Sequence, residues 1–313
     1  MWNVSLLGFD FFFIAFSFFI YSFLGWIWET CFCSCKQKSF VNRGFLNGPI
    51  IPIYGIGGTV VYVTLSGFAD NVGALFLLGM LLATVLEYLT AAIMENAFHA
   101  KWWDYSDYKI QFQGRISLKA SCLWGILSVL DVRVLGPFVL ELIRRIPRRG
   151  GEYACACLII LGLIDLTVTV FYTLQLSERV HRISNLREEF LTYLLNTKMV
   201  EKSSELKDAF ASATFTKLTL KKDSIMSSLT NRFRDSLSKE MKPAEVEEQV
   251  EGFRSDLEKR FKTFATKYKL NLHNDNLIHK RLIKAFPSLT FTRGHYYLQE
   301  LKERINMHNG KKE

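Results

Sequence analysis

No lysine or arginine occurs before Lys36, and no small-residue cleavage site follows the first apolar run. A cleavable signal peptide is therefore not expected, and that run should be retained. The phosphate-cradling pattern G-x-x-x-x-G-K-[ST] is missing, so ATP hydrolysis on such a loop is not this chain's own chemistry. H-E-x-x-H and G-x-S-x-G are missing too, and no acid–base pair stands at a fixed spacing. Cysteine is scarce: Cys31, Cys33 and Cys35 alternate, while Cys122, Cys155 and Cys157 lie elsewhere. A metal reading of the first three lacks a second ligand cluster at C-x2-C spacing. Positions i, i+2 and i+4 of a helix also do not share a face. Small apolar fillers in a reducing compartment is the better reading, and neither a metal nor a cofactor is called for. His99, beside Trp102 and Trp103, reads as an interfacial histidine.

What is present divides sharply. Residues 1–176 hold 12 Lys+Arg and 11 Asp+Glu, whereas residues 177–313 hold 27 and 19, a net of +8. The first part is expected to be a membrane domain and the second a basic, water-soluble one. The fold class is all-α: a polytopic helix bundle of about five spans followed by a helical cytoplasmic region.

The spans are expected at about 9–28, 49–68, 72–94, 117–143 and 154–176, since about 20 apolar residues cross the hydrocarbon core. Trp26 and Trp28 close the first span at headgroup level. Gly55, Gly57 and Gly58 would let another helix approach the second closely. The fourth is interrupted by Asp131, Arg133 and Pro137. It is expected to break near Asp131 into an amphipathic segment returning along the interface.

Between the first two spans lies a basic loop with Lys36, Lys38 and Arg43. Its turns are Asn42-Arg43-Gly44 and Asn47-Gly48-Pro49, and Pro52 and Gly55 interrupt regular helix at the entry of the second span. Such backbone at membrane depth belongs inside protein or beside a wet cavity, or it is simply a re-entry turn. The loop near Asp70 has no Lys or Arg, whereas the third carries Lys101, Lys109, Arg115 and Lys119. This bias implies N-terminus outside and tail inside a plasma membrane. Arg144, Arg145, Arg148 and Arg149 resist that assignment, because five spans leave them outside.

Ionisable residues inside spans suggest functional sites by default. Thr84, Glu87, Tyr88, Ala91 and Glu95 recur at helical steps as one polar stripe that must face protein. Asp165 lies near the middle of the fifth span. On this topology Glu29, Arg43, Asn47, Glu87, Glu95, Trp103, Asp104 and Arg115 gather in the cytoplasmic half, with Asp165 completing the candidate set. One reading is a substrate cavity open to the cytoplasm. The other is a structural network in which Arg43 or Arg115 neutralises Glu87.

Beyond Ser177, the positions Val180, Ile183, Leu186, Phe190, Leu191 and Leu194 trace an apolar stripe. Further helices are expected over roughly 215–237, from Pro243 to about Leu270, over 278–286 and over 295–305. The surplus of positive charge favours anionic lipid headgroups, each nearby cation contributing about 1 kcal/mol. Nucleic acid is the weaker partner, since no aromatic-and-basic recognition motif occurs.

FLGWIWE, FVNRGFLNGPIIPIYGIGG, LEYLTAAIMENAFHAKWWDYSDYKIQFQGRIS and the Leu123–Gly125 LWG together resemble the putative ABC-transporter permease family called type IV. HKRLIKAFPSLTFTRGHYYLQELKER extends the likeness into the tail. Where many members have Asn-x-x-Gly-Arg-Ile-Cys, this chain has Gln111, Gln113, Gly114, Arg115, Ile116 and Ser117, so a thiol role there is not expected. The resemblance implies a permease whose separate ATPase subunit is encoded elsewhere, and five spans imply a homodimer. The alternatives are a scaffold or sensor whose tail binds a partner, or a membrane-embedded enzyme acting on a lipid.

Overall fold

Asp10 starts the first helix, its carboxylate accepting the Phe13 amide at 2.9 Å, as an N-cap should. In the computed structural model this helix, α1, runs Phe11–Gln37 and ends at Lys38 in the left-handed region. The structure describes residues 2, 5–196, 222–238, 241–272, 276–291, 298–299 and 302. α2 (Pro52–Leu65) opens on a first-turn proline, and α3 (Val72–Phe98) is capped by Asn71. α4 (Leu118–Leu130) is capped by Ser117, and a π turn (Asp131–Leu135) joins it to α5 (Gly136–Arg144). α6 runs Arg148–Asn196. Three more helices complete the described chain: α7 (Lys222–Leu237), α8 (Pro243–Leu272) and α9 (Leu277–Ala285).

The chain divides into two units: residues 1–175 with 277–290, and 176–276 with 291–313. Segment 277–290, which the sequence places in the tail, thus belongs to the first unit. In the first unit α1 and α2 pack antiparallel at close range. A Cβ on Gly58 would lie 2.8 Å from the Tyr21 ring, and one on Gly55 would strike Ser22 and Phe18. Gly57 faces open space, so only two of the three expected small residues serve the contact.

Residues 118–144 do not break and turn back at Asp131. The flanking residues keep right-handed helical dihedrals, so the chain passes straight through the π turn. Thr84 meets Ser121 and Glu87 meets Trp124 near one end, whereas Val139 and Ile143 join Phe12, Phe13 and Phe16 near the other. The segment therefore runs the length of the bundle, antiparallel to both α3 and α1. α6 starts beside the same end, where Arg148 pairs with Asp10.

Among the described residues, three helices are long and apolar enough to cross a membrane: Phe11–Gln37, Val72–Phe98 and residues Arg148–Phe190 of α6. The expected count of five is not met on that measure. α2 has only 14 residues, and the π turn divides the fourth run into shorter helices. Leu77, Leu81, Val85, Leu89 and Ile93 on α3 and Ile160, Leu161, Ile164 and Phe171 on α6 are exposed, as lipid-facing positions would be.

The second unit is built on ring contacts. Phe190 stacks on Phe264 at 4.9 Å and meets Phe261 edge-on, while Phe233 stacks on Phe253 at 4.5 Å. Val246, Val250 and Leu257 of α8 and Met226 and Leu229 of α7 are buried. Residues 215–221, and most of the helix expected over 295–305, lie outside the described residues.

Candidate functional site

The loop from Ser39 to Ile51 has almost no regular secondary structure, so its peptide groups need partners from side chains. Asp165 on α6 supplies them. Its Oδ1 accepts the Asn47 amide at 3.1 Å and Asn47 Nδ2 at 2.8 Å, and its Oδ2 accepts the Gly48 amide at 2.7 Å. Asn47 Nδ2 also donates to Thr169 Oγ1 at 2.9 Å. From the other side Asn42 Nδ2 donates to the Asn47 carbonyl and Asn42 Oδ1 accepts the Trp26 indole N–H, both at 2.8 Å. The turn is thereby held in one shape between α1 and α6.

A cation from far along the chain completes it. Arg281 on α9 donates to the carbonyls of Gly44 (2.6 Å) and Phe45 (2.7 Å) and to Asn47 Oδ1 (3.1 Å). Burial lowers this guanidinium from its ordinary pKa, and nearby Asp165 partly offsets the effect. In return Arg43 donates to the Ala285 carbonyl at 2.8 Å, lies over the Phe286 ring at 4.3 Å, and pairs with Glu29 at 3.6 Å. Lys284 donates to the Phe40 carbonyl at 3.0 Å and His279 meets the Tyr172 carbonyl at 2.8 Å. Trp102 packs edge-on against both Phe45 and Phe286 beneath this latch.

A second cluster lies on α3 and the hairpin after it. Arg115 makes two bonds to Glu95 Oε2, at 2.9 and 2.7 Å, and one to the Tyr88 hydroxyl at 3.0 Å. The Glu95 bonds raise the Arg115 pKa above its ordinary value. Gln113 and Gly114, both at positive φ, make the turn that aims Arg115 back at α3. Trp103 donates its indole N–H to the Arg115 carbonyl at 3.0 Å. Asp104 accepts from Ser106 and pairs with Lys101 at 3.5 Å.

Glu87 is 4% exposed and corrects an expectation. Neither Arg43 nor Arg115 neutralises it, because each is engaged with a different glutamate. The Tyr105 hydroxyl donates to Oε1 at 3.1 Å and the Trp124 indole N–H to Oε2 at 3.0 Å. Burial, then the facing Glu87 carboxylate, pushes the Tyr105 phenol well above the usual tyrosine range. Trp124 packs against Tyr54 at 6.0 Å, and Tyr54 donates to Glu29 at 2.7 Å. This chain of rings links the two clusters.

The structure thus brings Glu29, Arg43, Asn47 and Asp165 together, joins Glu95, Trp103, Asp104 and Arg115 in a second group, and bridges them through Glu87. Sequence reasoning missed Arg281, Tyr54, Tyr105 and Trp124. Arg281 lies in the segment HKRLIKAF, whose resemblance to family members was its available signal. The three partners of the carboxylates carried no charge to draw notice. Among the described residues no group of three His, Cys, Asp or Glu side chains could hold a metal ion.

Residues 16–170, which hold most of both clusters, match the family model described as Putative ABC-transporter type IV. The chain belongs to that family. Family membership and the apolar helices make it a membrane protein of the ABC-transporter type. Neither the curated proteins nor the solved structures compared with the chain gave a match. Arg281 lies outside the residues that the type IV family model covers, yet it bonds directly to Gly44, Phe45 and Asn47 within them.

Proposed function

We propose that this protein is the membrane-spanning permease subunit of a transporter driven by a separate ATPase. It crosses the plasma membrane five times, N-terminus outside, with the Arg43 and Arg115 clusters in the cytoplasmic half. The helical segments α1, α2, α3, residues 118–144 and the first part of α6 alternate in direction, which supports five crossings. α2 is short because the loop before it already lies within the membrane's inner layer, bonded to Asp165.

The observation that carries this reading is the Asp165–Asn47–Arg281 lattice. It closes an irregular backbone at membrane depth with polar groups, an arrangement tolerated only inside protein or beside water. In the transport reading these groups line the path once the lattice opens, and here they are bonded to one another in the closed state. Five crossings are few for a path, so a second copy completes it. The basic C-terminal region rests on anionic headgroups, an attachment that 1 M salt would release from vesicles.

The test is purification of the full-length protein from its native membrane after crosslinking, with ATP hydrolysis as readout. A captured ATPase whose rate changes when the membrane subunit carries Asp165→Asn supports the permease. Failure of any such ATPase to appear would favour a scaffold or an enzyme acting on lipid.

A further inference from the structure

A third polar group lies inside the bundle, apart from both clusters. Asp131 opens the π turn and is 6% exposed. Its Oδ1 accepts the Tyr21 hydroxyl at 2.6 Å, but its Oδ2, fully buried, has no hydrogen-bond partner. Three hydroxyls on the helices packed against this turn share that condition: Ser17 Oγ and Ser22 Oγ on α1, and Thr59 Oγ1 on α2. Ser17 is one helical turn from Tyr21 on the same face. Thr59 adjoins Gly58, whose missing side chain lets Tyr21 lie against α2.

Four unpartnered oxygens in one apolar bundle need an explanation, since each orphaned polar group costs about 1–3 kcal/mol. An ionised carboxylate there costs more unless a cation meets it. Among the described residues no arginine or lysine forms an ion pair with Asp131. Arg133, in the same turn, is exposed and borders a groove with Val72, Phe76 and Ile126. The titratable groups facing Asp131 are Tyr21 from α1 and Tyr62 from α2, and Arg144 of α5 acts on Tyr62. One carboxylate among neutral hydroxyls carries a single negative charge, which one monocation offsets, and π turns recur at functional positions of helices.

We propose that Asp131, with the hydroxyls of Ser17 and Thr59, forms a binding site for a monovalent cation, a proton or a sodium ion, within the membrane bundle. A bound cation neutralises the carboxylate and gives Oδ2 its missing partner. The proposal is independent of the transport reading, because binding is read in the resting protein.

The experiment melts full-length protein in detergent under two series. One varies pH in choline chloride without sodium. The other holds an alkaline pH and replaces choline with sodium at constant ionic strength. The wild type should melt higher as pH falls if the site takes a proton, or as sodium rises if it takes that ion. Asp131→Asn, neutral and of the same shape, should lose the part of that response that Asp131 supplies, whereas Asp70→Asn, at an exposed loop carboxylate, should leave it in full. Parallel curves for wild type and Asp131→Asn in both series would overturn the proposal. If Asp131→Asn does not fold, Thr59→Val and Tyr21→Phe serve instead. Each should move the midpoint of the wild-type response, and an unmoved midpoint in both would overturn it equally.

Discussion

Replacing Arg281 by alanine should loosen the loop that the first helix feeds. The side chain makes three charge-assisted bonds of 2.6, 2.7 and 3.1 Å, two of them to the carbonyls of adjacent loop residues. Each such bond contributes about 1.5–3 kcal/mol, but the three share one side chain and do not add. Removing one side of a buried charged contact costs about 3–5 kcal/mol, and Arg281 is only partly buried. About 2–4 kcal/mol is therefore expected for Arg281→Ala, a melting temperature lower by on the order of 10 °C. Arg281→Lys keeps the charge but not the fork that reaches two adjacent carbonyls, so about half the loss should remain. Hydrogen exchange of the Gly44–Gly48 amides should accelerate in both variants, more in the alanine one. An unchanged melting curve with unchanged exchange in Arg281→Ala would refute the latch.

Glu87→Ala leaves the Tyr105 hydroxyl and Trp124 N–H without their acceptor and should cost about 1–3 kcal/mol for each group that finds no other. Glu87→Gln keeps one acceptor and should melt between the alanine variant and the wild type, and a melt at or below that of the alanine variant would contradict the assigned contacts. For topology, a cysteine at Asp70 should react with an impermeant reagent in intact cells, and one at Lys109 should not. Both positions are exposed, so the reverse pattern would invert the orientation. Asp104 lies below the usual carboxylate range: its slight burial opposes this, but the Ser106 hydroxyl and amide and Lys101 outweigh it. A depressed folded pKa means that its stabilisation is present above about pH 4 and is lost as pH falls through the folded value. Asp104→Asn should therefore flatten the acid limb of melting temperature against pH, and superimposable limbs would exclude this role.

The sequence made the membrane half legible because apolar length is a direct consequence of bilayer thickness. One start signal was legible as well, since Pro243 opens the helix it was expected to open, although Pro52, read as an interruption of regular helix, is the first residue of α2. Two kinds of feature were not. The polar stripe on α3 required partners inside protein, yet periodicity could not say which, and charge drew attention to arginines when neutral donors took Glu87. Arg281 stands more than two hundred residues from the loop it binds, so only the folded chain could join them. Asp131 showed as an interruption, but its place in a continuing helix depended on a backbone pattern that sequence period does not carry.

That backbone pattern sets the direction of every side chain beyond it. In a regular helix each residue advances the side-chain direction by about 100°, and the π turn winds its backbone more slowly. Ser121, Gly125 and Ser128, buried on α4, would align with Gly136, Val139 and Ile143 on α5 if the helix were uniform. The π turn offsets the second set, so one uninterrupted segment presents a face to α3 at one end and to α1 and α2 at the other. It acts as a phase shifter. Because an i→i+5 turn holds one residue more than a regular turn, deleting a single residue between Val132 and Leu135 would remove the π turn yet leave Val139 and Ile143 on Phe12 and Phe16. Regularising the turn at full length would instead swing them away by about 100°.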